Sequence, residues 1–167
     1  GFEGPEDLDG RLYAEQVDSI ALAFSAFSRG RDMVVGDLTG IGKGRILASM
    51  IRYGHLNDIP VVFITKDQTL YNSMAREMAV MGMSEIVDRR RLLITSASTG
   101  ILNDQGEPVF KGRTASELNE IYETGVMPQG VRVVFTTHSQ LMYKPDNPRV
   151  SWLRNIAQDA LVLVDES

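Results

Sequence analysis

The stretch Val34-Val35-Gly36-Asp37-Leu38-Thr39-Gly40-Ile41-Gly42-Lys43-Gly44-Arg45 constrains this chain more than any other. An apolar run leads into a glycine-bearing turn, a lysine follows, and the next residues suit the start of a helix. That is the layout of a phosphate-binding P-loop. Glycines let backbone N–H groups turn inward around an anion, because no Cβ blocks the approach. The helix that follows would aim its N-terminal dipole and its unpaired N–H groups at the same anion. Lys43 would add a mobile positive charge for the β- and γ-phosphates. Two positions depart from the general pattern G-x-x-x-x-G-K-[ST]. Asp37 stands at its first glycine, with Gly36 one residue earlier, and Gly44 stands where a hydroxyl would serve Mg²⁺. A tight turn between any strand and helix would use the same glycines, so the remainder of the chain decides.

The remainder alternates. Residues 1–11, rich in glycine, proline and acid, read as a lead-in. From Tyr13 the residues Val17, Ile20, Ala21, Phe24 and Phe27 fall on one face of a helix that Gly30 ends. Met33-Val34-Val35 reads as a short buried strand into the loop. A helix from Lys43 to Tyr53 follows, with Gly54 as its stop. Pro60-Val-Val-Phe-Ile-Thr65 is a continuous apolar run, which suits a parallel strand covered on both faces. Thr65-Lys-Asp-Gln68 has the form of a capping box, and the next helix carries Leu70, Met74, Met78 and Met81, a stripe best read as core packing. Arg89-Arg90-Arg91 precedes a strand at Leu92–Thr95 and is read as a solvated flank.

Residues 98–128 read as an insertion. Turn chemistry at Asn103-Asp-Gln-Gly106 suits a hairpin within Ile101–Phe110, and Thr114-Ala-Ser-Glu117 is a capping box opening a helix. Val131–Phe135 and Ala160–Val164 are two further strands, separated by a helix with Asn147 as cap and Pro148 as its first residue. Strand and helix in turn, without a repeat, predict a doubly wound α/β domain with a mainly parallel sheet. Ligands of such sheets bind at the carboxyl ends of the strands. The P-loop, Thr65, Thr136-Thr137 and Asp165-Glu166 all fall there.

Composition narrows the function classes. The chain has 167 residues, 43% hydrophobic and 23% charged, ordinary for a globular domain. It has no cysteine and two histidines, His55 and His138, which excludes a thiolate metal site and argues against zinc. No apolar run approaches the roughly 20 residues of a membrane span, no signal peptide is visible, and an intracellular setting is expected. The net charge, 17 − 22 = −5, disfavours a non-specific nucleic-acid binder but allows a small local patch. The start at Gly1 and the end just after Val-Leu-Val-Asp-Glu lead us to expect a piece of a longer chain.

Asp165-Glu166, after an apolar strand, supplies what a nucleotide hydrolase needs beside its P-loop. One carboxylate can hold Mg²⁺ through its water shell. The next can orient and deprotonate the attacking water.

Gly36-Asp-Leu-Thr-Gly-Ile-Gly-Lys-Gly-Arg45 and Leu161-Val-Leu-Val-Asp-Glu-Ser167 together resemble motifs one and two of superfamily-two helicases and DNA translocases, the DEAD/DEAH-type motors. The Gly-Lys-Gly-Arg ending is most similar to the strawberry notch-type P-loop ATPases, in which a glycine also follows the lysine. The resemblance covers about residues 12–167 and implies an N-terminal RecA-like lobe ending at motif two. It implies an ATP cofactor with Mg²⁺, nucleic acid (DNA above RNA) as partner, and a second RecA-like lobe later in the same protein. Position by position it implies adenine reading by Gln16. Phosphate binding falls to Gly36, Asp37, Leu38, Thr39, Gly40, Ile41, Gly42, Lys43, Gly44 and Arg45. Asp165 would hold Mg²⁺ and Glu166 would activate water. Thr65 of motif Ia, and Thr136 and Thr137 of motif Ib, would contact the nucleic-acid backbone. Ser167 departs from the usual Ala or Cys. In related lobes the motif-three strand separates the P-loop strand from the motif-two strand, so a piece lacking it is expected to be poorly stable and inactive alone. Two other readings stay open: a P-loop ATPase or kinase that does not act on nucleic acid, and a degenerate P-loop module serving interactions, which Gly44 and Asp37 favour. Strand-end threonines also commonly cap a following helix.

Overall fold

The computed structural model describes residues 11–34 and 42–165. Expectations for Val35, Gly36, Asp37, Leu38, Thr39, Gly40, Ile41, Glu166 and Ser167, and for most of the lead-in, lie outside the described residues. In chain order the elements are α1 (Ala14–Phe27), α2 (Lys43–Leu56), β1 (Val61–Thr65), α3 (Leu70–Val80), a 3₁₀ turn (Ser84–Ile86), β2 (Leu92–Ile94), β3 (Ile101–Leu102), β4 (Pro108–Phe110), α4 (Ala115–Thr124), β5 (Val133–Thr137), α5 (His138–Leu141), α6 (Pro148–Ala157) and β6 (Leu161–Asp165).

Four strands form one parallel sheet in the order β2-β5-β1-β6. The continuous apolar runs explain this. On β1, Val61 and Phe63 face one core and Val62 the other, all buried. The first core joins Phe63, Phe135, Ile94 and Leu163 to Ile20 of α1, Ile46 and Met50 of α2, and Tyr71, Met74 and Met78 of α3. The second joins Val62, Val134 and Leu93 to Leu118 and Tyr122 of α4 and Trp152, Leu153 and Ile156 of α6. Helices therefore cover both faces of β1, β2 and β5, as the uninterrupted strands predict, while on the edge strand β6 Val162 and Val164 stay exposed. Each fully buried side chain of this size contributes about 1.5–3 kcal/mol. The methionine stripe of α3 is core, and Met81 and Met83 extend it.

Local signals hold in several places. Thr114 accepts from the Glu117 N–H and Glu117 reaches back to the Thr114 N–H, so α4 opens on the expected capping box. Asn147 caps α6, whose first residue is Pro148. Strands β3 and β4 form the expected antiparallel hairpin, closed by Asn103, whose side chain accepts from the Gln105 and Glu107 N–H groups. Leu118 and Tyr122 show that α4, within 98–128, is a layer of the domain.

Four local expectations are corrected. Met33 and Val34 are not in a strand, and Val34 is 89% exposed; a lone apolar run forms no strand without a neighbour to complete its hydrogen bonds. Gly54 does not stop α2, which runs to Leu56. It is buried where a Cβ would overlap Val61 Cγ2 and lie 3.0 Å from the Ile59 carbonyl, so its role is close approach. Thr65 caps nothing: it stays in β1, paired with Thr137 and Asp165, and α3 starts only at Leu70, after Asp67 Oδ1 has accepted the Thr69 N–H. On α1 the inward face holds Gln16, Ile20 and Ala23, while Ala21 is exposed.

Candidate functional site at the carboxyl edge of the sheet

Only four residues link Leu56 to Val61, and Gly54 packs against Val61. The carboxyl end of α2 thus lies at the amino end of β1. Because α2 packs along the sheet, its first residue, Lys43, lies toward the opposite end, where Thr65 closes β1. A helix of 14 residues spans roughly 21 Å, comparable with a five-residue strand and its flanks. Strand alternation puts Thr65, Thr137 and Asp165 on the face of the sheet that α2 covers, and their register makes them direct neighbours. The chain path therefore directs the start of α2 toward the edge at which Thr65, Thr137 and Asp165 lie side by side.

The residues around Lys43 are held from two sides. Gly42, with φ of 75°, is the N-cap of α2. Gln16, only 3% exposed, reaches it from α1: its Oε1 accepts the Tyr13 N–H at 2.9 Å and its Nε2 donates to the Gly42 carbonyl at 3.4 Å. From the other side, Arg45 Nε donates to Glu77 Oε2 of α3 at 2.5 Å, and Arg45 Nη1 to the Arg11 carbonyl at 2.6 Å. A side chain at Gly44 would point at Glu77, with its Cβ 3.4 Å from Glu77 Cγ.

The threonines differ from one another. Thr65 is fully buried, and its hydroxyl has no hydrogen-bond partner among the described residues. Thr137 Oγ1 pairs with Ser139 Oγ at 2.9 Å. Thr136 belongs to a buried network: its hydroxyl and that of Thr95 both donate to Gln140 Oε1, and Gln140 Nε2 donates to Ser96 Oγ at 2.6 Å. Gln68 also donates to Ser96, at 3.0 Å, and accepts from Thr99 at 3.1 Å. The network ties the β1–α3 loop, the ends of β2 and β5, and the base of the hairpin into one edge. Nothing local in the sequence marked Ser96 or Glu77, and the only signal for Gln140 was its spacing from Thr136.

Electrostatics near this edge are mild. The Thr69 backbone N–H holds Asp67 below the usual carboxylate range. Burial pushes the phenols of Tyr71 and Tyr122 up, so both stay neutral. Among the described residues no group of three or more His, Asp or Glu side chains could cage a metal. Asp165, partly exposed at the end of β6, is a single carboxylate. One carboxylate with water fits Mg²⁺, which keeps most of its hydration shell, and does not fit a dedicated zinc or calcium cage. No helix among the described residues is long and apolar enough to cross a membrane. No family model, curated protein or solved structure matches the chain.

Proposed function

We propose that this chain is the nucleotide-binding lobe of an ATP-dependent motor of the helicase or translocase kind, RecA-like in fold and acting on nucleic acid, DNA above RNA. The observation that carries the reading is the buried Gln16 side chain bonded to the carbonyl of Gly42, one residue before Lys43. Gln16 Oε1 caps the start of α1 through the Tyr13 N–H while its Nε2 bonds the Gly42 carbonyl, so one buried side chain couples α1 to the residue before Lys43. In this reading the first turn of α2 and Lys43 bind the phosphates, Gln16 steadies the loop beside the base, and Asp165 orients hydrated Mg²⁺. ATP with Mg²⁺ supplies the phosphoryl group whose transfer to water drives the motor.

A second reading, a P-loop ATPase or kinase that does not act on nucleic acid, is favoured by one observation. Thr65, Thr136 and Thr137 are all buried, the last two engaged with Gln140 and Ser139. The test is ATP hydrolysis by the intact protein with and without single-stranded DNA, duplex DNA and RNA, beside Lys43→Ala. The motor reading expects nucleic-acid-stimulated turnover that Lys43→Ala reduces to background. Turnover indifferent to nucleic acid would select the second reading, and no nucleotide binding at all would overturn both.

A further inference from the structure

The departure from the general P-loop pattern at Gly44 has a structural counterpart on α3. A side chain at 44 would project onto Glu77, whose Cγ lies 3.4 Å from the ideal Cβ position. The Glu77 carboxylate accepts from Arg45 Nε at 2.5 Å, with both side chains partly buried. Arg45 also donates to the carbonyl of Arg11, just before α1. Arg11 in turn lies against the end of α3, its Nη1 3.2 Å from the Cβ that Gly82 lacks. About two turns further along α2, Arg52 Nη1 donates to the carbonyl of Met81, the residue that caps α3, at 2.8 Å. The first turn of α2 is therefore strapped to α3 and to the segment leading into α1 by side chains that neither element needs for its own helix.

From this we infer that Glu77 is a positioning residue of the proposed nucleotide site, acting through Arg45. The inference rests on the nucleotide-binding reading above. The carboxylate of Glu77 occupies the direction in which a residue at 44 would reach, and its charge-assisted bond fixes Arg45. Fixing Arg45 fixes the orientation of the turn whose N–H groups face the phosphates, so part of the ordering cost of binding is met before the ligand arrives. The side chain that the general pattern places after the lysine is replaced here by a carboxylate from a neighbouring helix, which holds the turn in place of contacting the ligand.

The test uses the intact protein, Mg·ATP binding by calorimetry, and thermal unfolding without nucleotide, for wild type, Glu77→Ala, Glu77→Gln and Glu77→Asp. Glu77→Ala is expected to weaken Mg·ATP binding about tenfold, close to 1.4 kcal/mol, with the nucleotide-free unfolding midpoint within about 3 °C of wild type. Glu77→Asp, which keeps the carboxylate, is expected to recover part of the affinity that Glu77→Ala and Glu77→Gln lose. Undiminished binding by Glu77→Ala, in a wild type that binds, overturns this inference and leaves the nucleotide reading standing. A loss of affinity matched by a proportionate loss of stability, with no recovery in Glu77→Asp, also overturns it. A wild type that binds no Mg·ATP ends the underlying reading and this inference with it.

Discussion

Gln16 and Gly42 meet across 26 positions of sequence: the amide of one, buried on the inner face of α1, donates to the carbonyl of the other at the mouth of α2. The contact uses a glycine that tolerates nothing larger, since φ is 75° and a Cβ would overlap Gln16 Nε2. Gly42→Ala is expected to lower stability by about 1–2 kcal/mol from the backbone alone, and more from the overlap. Gln16→Ala relieves the overlap, so the double variant should lose less than the sum of the two single ones. Urea unfolding of the four proteins measures this, and additive losses would show that the two residues do not touch.

Gly54→Ala sets helix propensity against packing. In an exposed helix the change gains about 1 kcal/mol. Here the new methyl would overlap Val61 and press on the Ile59 carbonyl, a backbone atom that cannot swing away. Overpacking of this kind costs about 1–3 kcal/mol. The expected outcome is a lower thermal midpoint, and a raised one would mean that α2 shifts freely against β1.

Gln140→Leu removes the acceptor that Thr95 and Thr136 share and the donor to Ser96. Leucine nearly matches glutamine in size but leaves buried hydroxyls short of a partner, at about 1–3 kcal/mol. The denaturation midpoint should fall with an unchanged dependence on denaturant, because the same surface is exposed on unfolding. A neutral result would mean that Thr95, Thr136 and Ser96 satisfy one another without Gln140.

Glu117 gives a pH prediction. The Thr114 backbone N–H, then Arg89, then the Thr114 hydroxyl hold its carboxyl down to about 2 from an ordinary 4.5. A carboxyl lowered by folding stabilises the fold above its unfolded pKa, and that contribution is lost as pH falls from about 4.5 through about 2. Glu117→Gln should therefore be less stable than wild type at pH 7, with the gap closing as the pH is lowered through that window. A gap independent of pH would mean that the ionised carboxylate is not what caps α4.

What the sequence settled by itself are features whose causes lie within a few residues of one another. Val61–Thr65 and Val133–Thr137 are apolar without alternation, so both faces had to be covered and a parallel sheet between helices followed. Thr114 with Glu117, Asn147 with Pro148, and Asn103 through Gly106 carry their caps and turns in their own side chains. The order of chain elements also put the carboxyl ends of β1, β5 and β6 at one edge before any geometry was known. Tertiary structure decided where side chains go once layers meet. Gln16 turned inward, where spacing had marked Ala21. Gly54 proved to be a contact with Val61 and not a helix end. Thr65 remained in its strand because two neighbouring strands complete its backbone bonds. Glu77 found Arg45 on another helix, and Gln140 found the ends of two strands. Each of these depends on a partner distant in sequence, set by how helices seat on a sheet whose spacing no local pattern encodes.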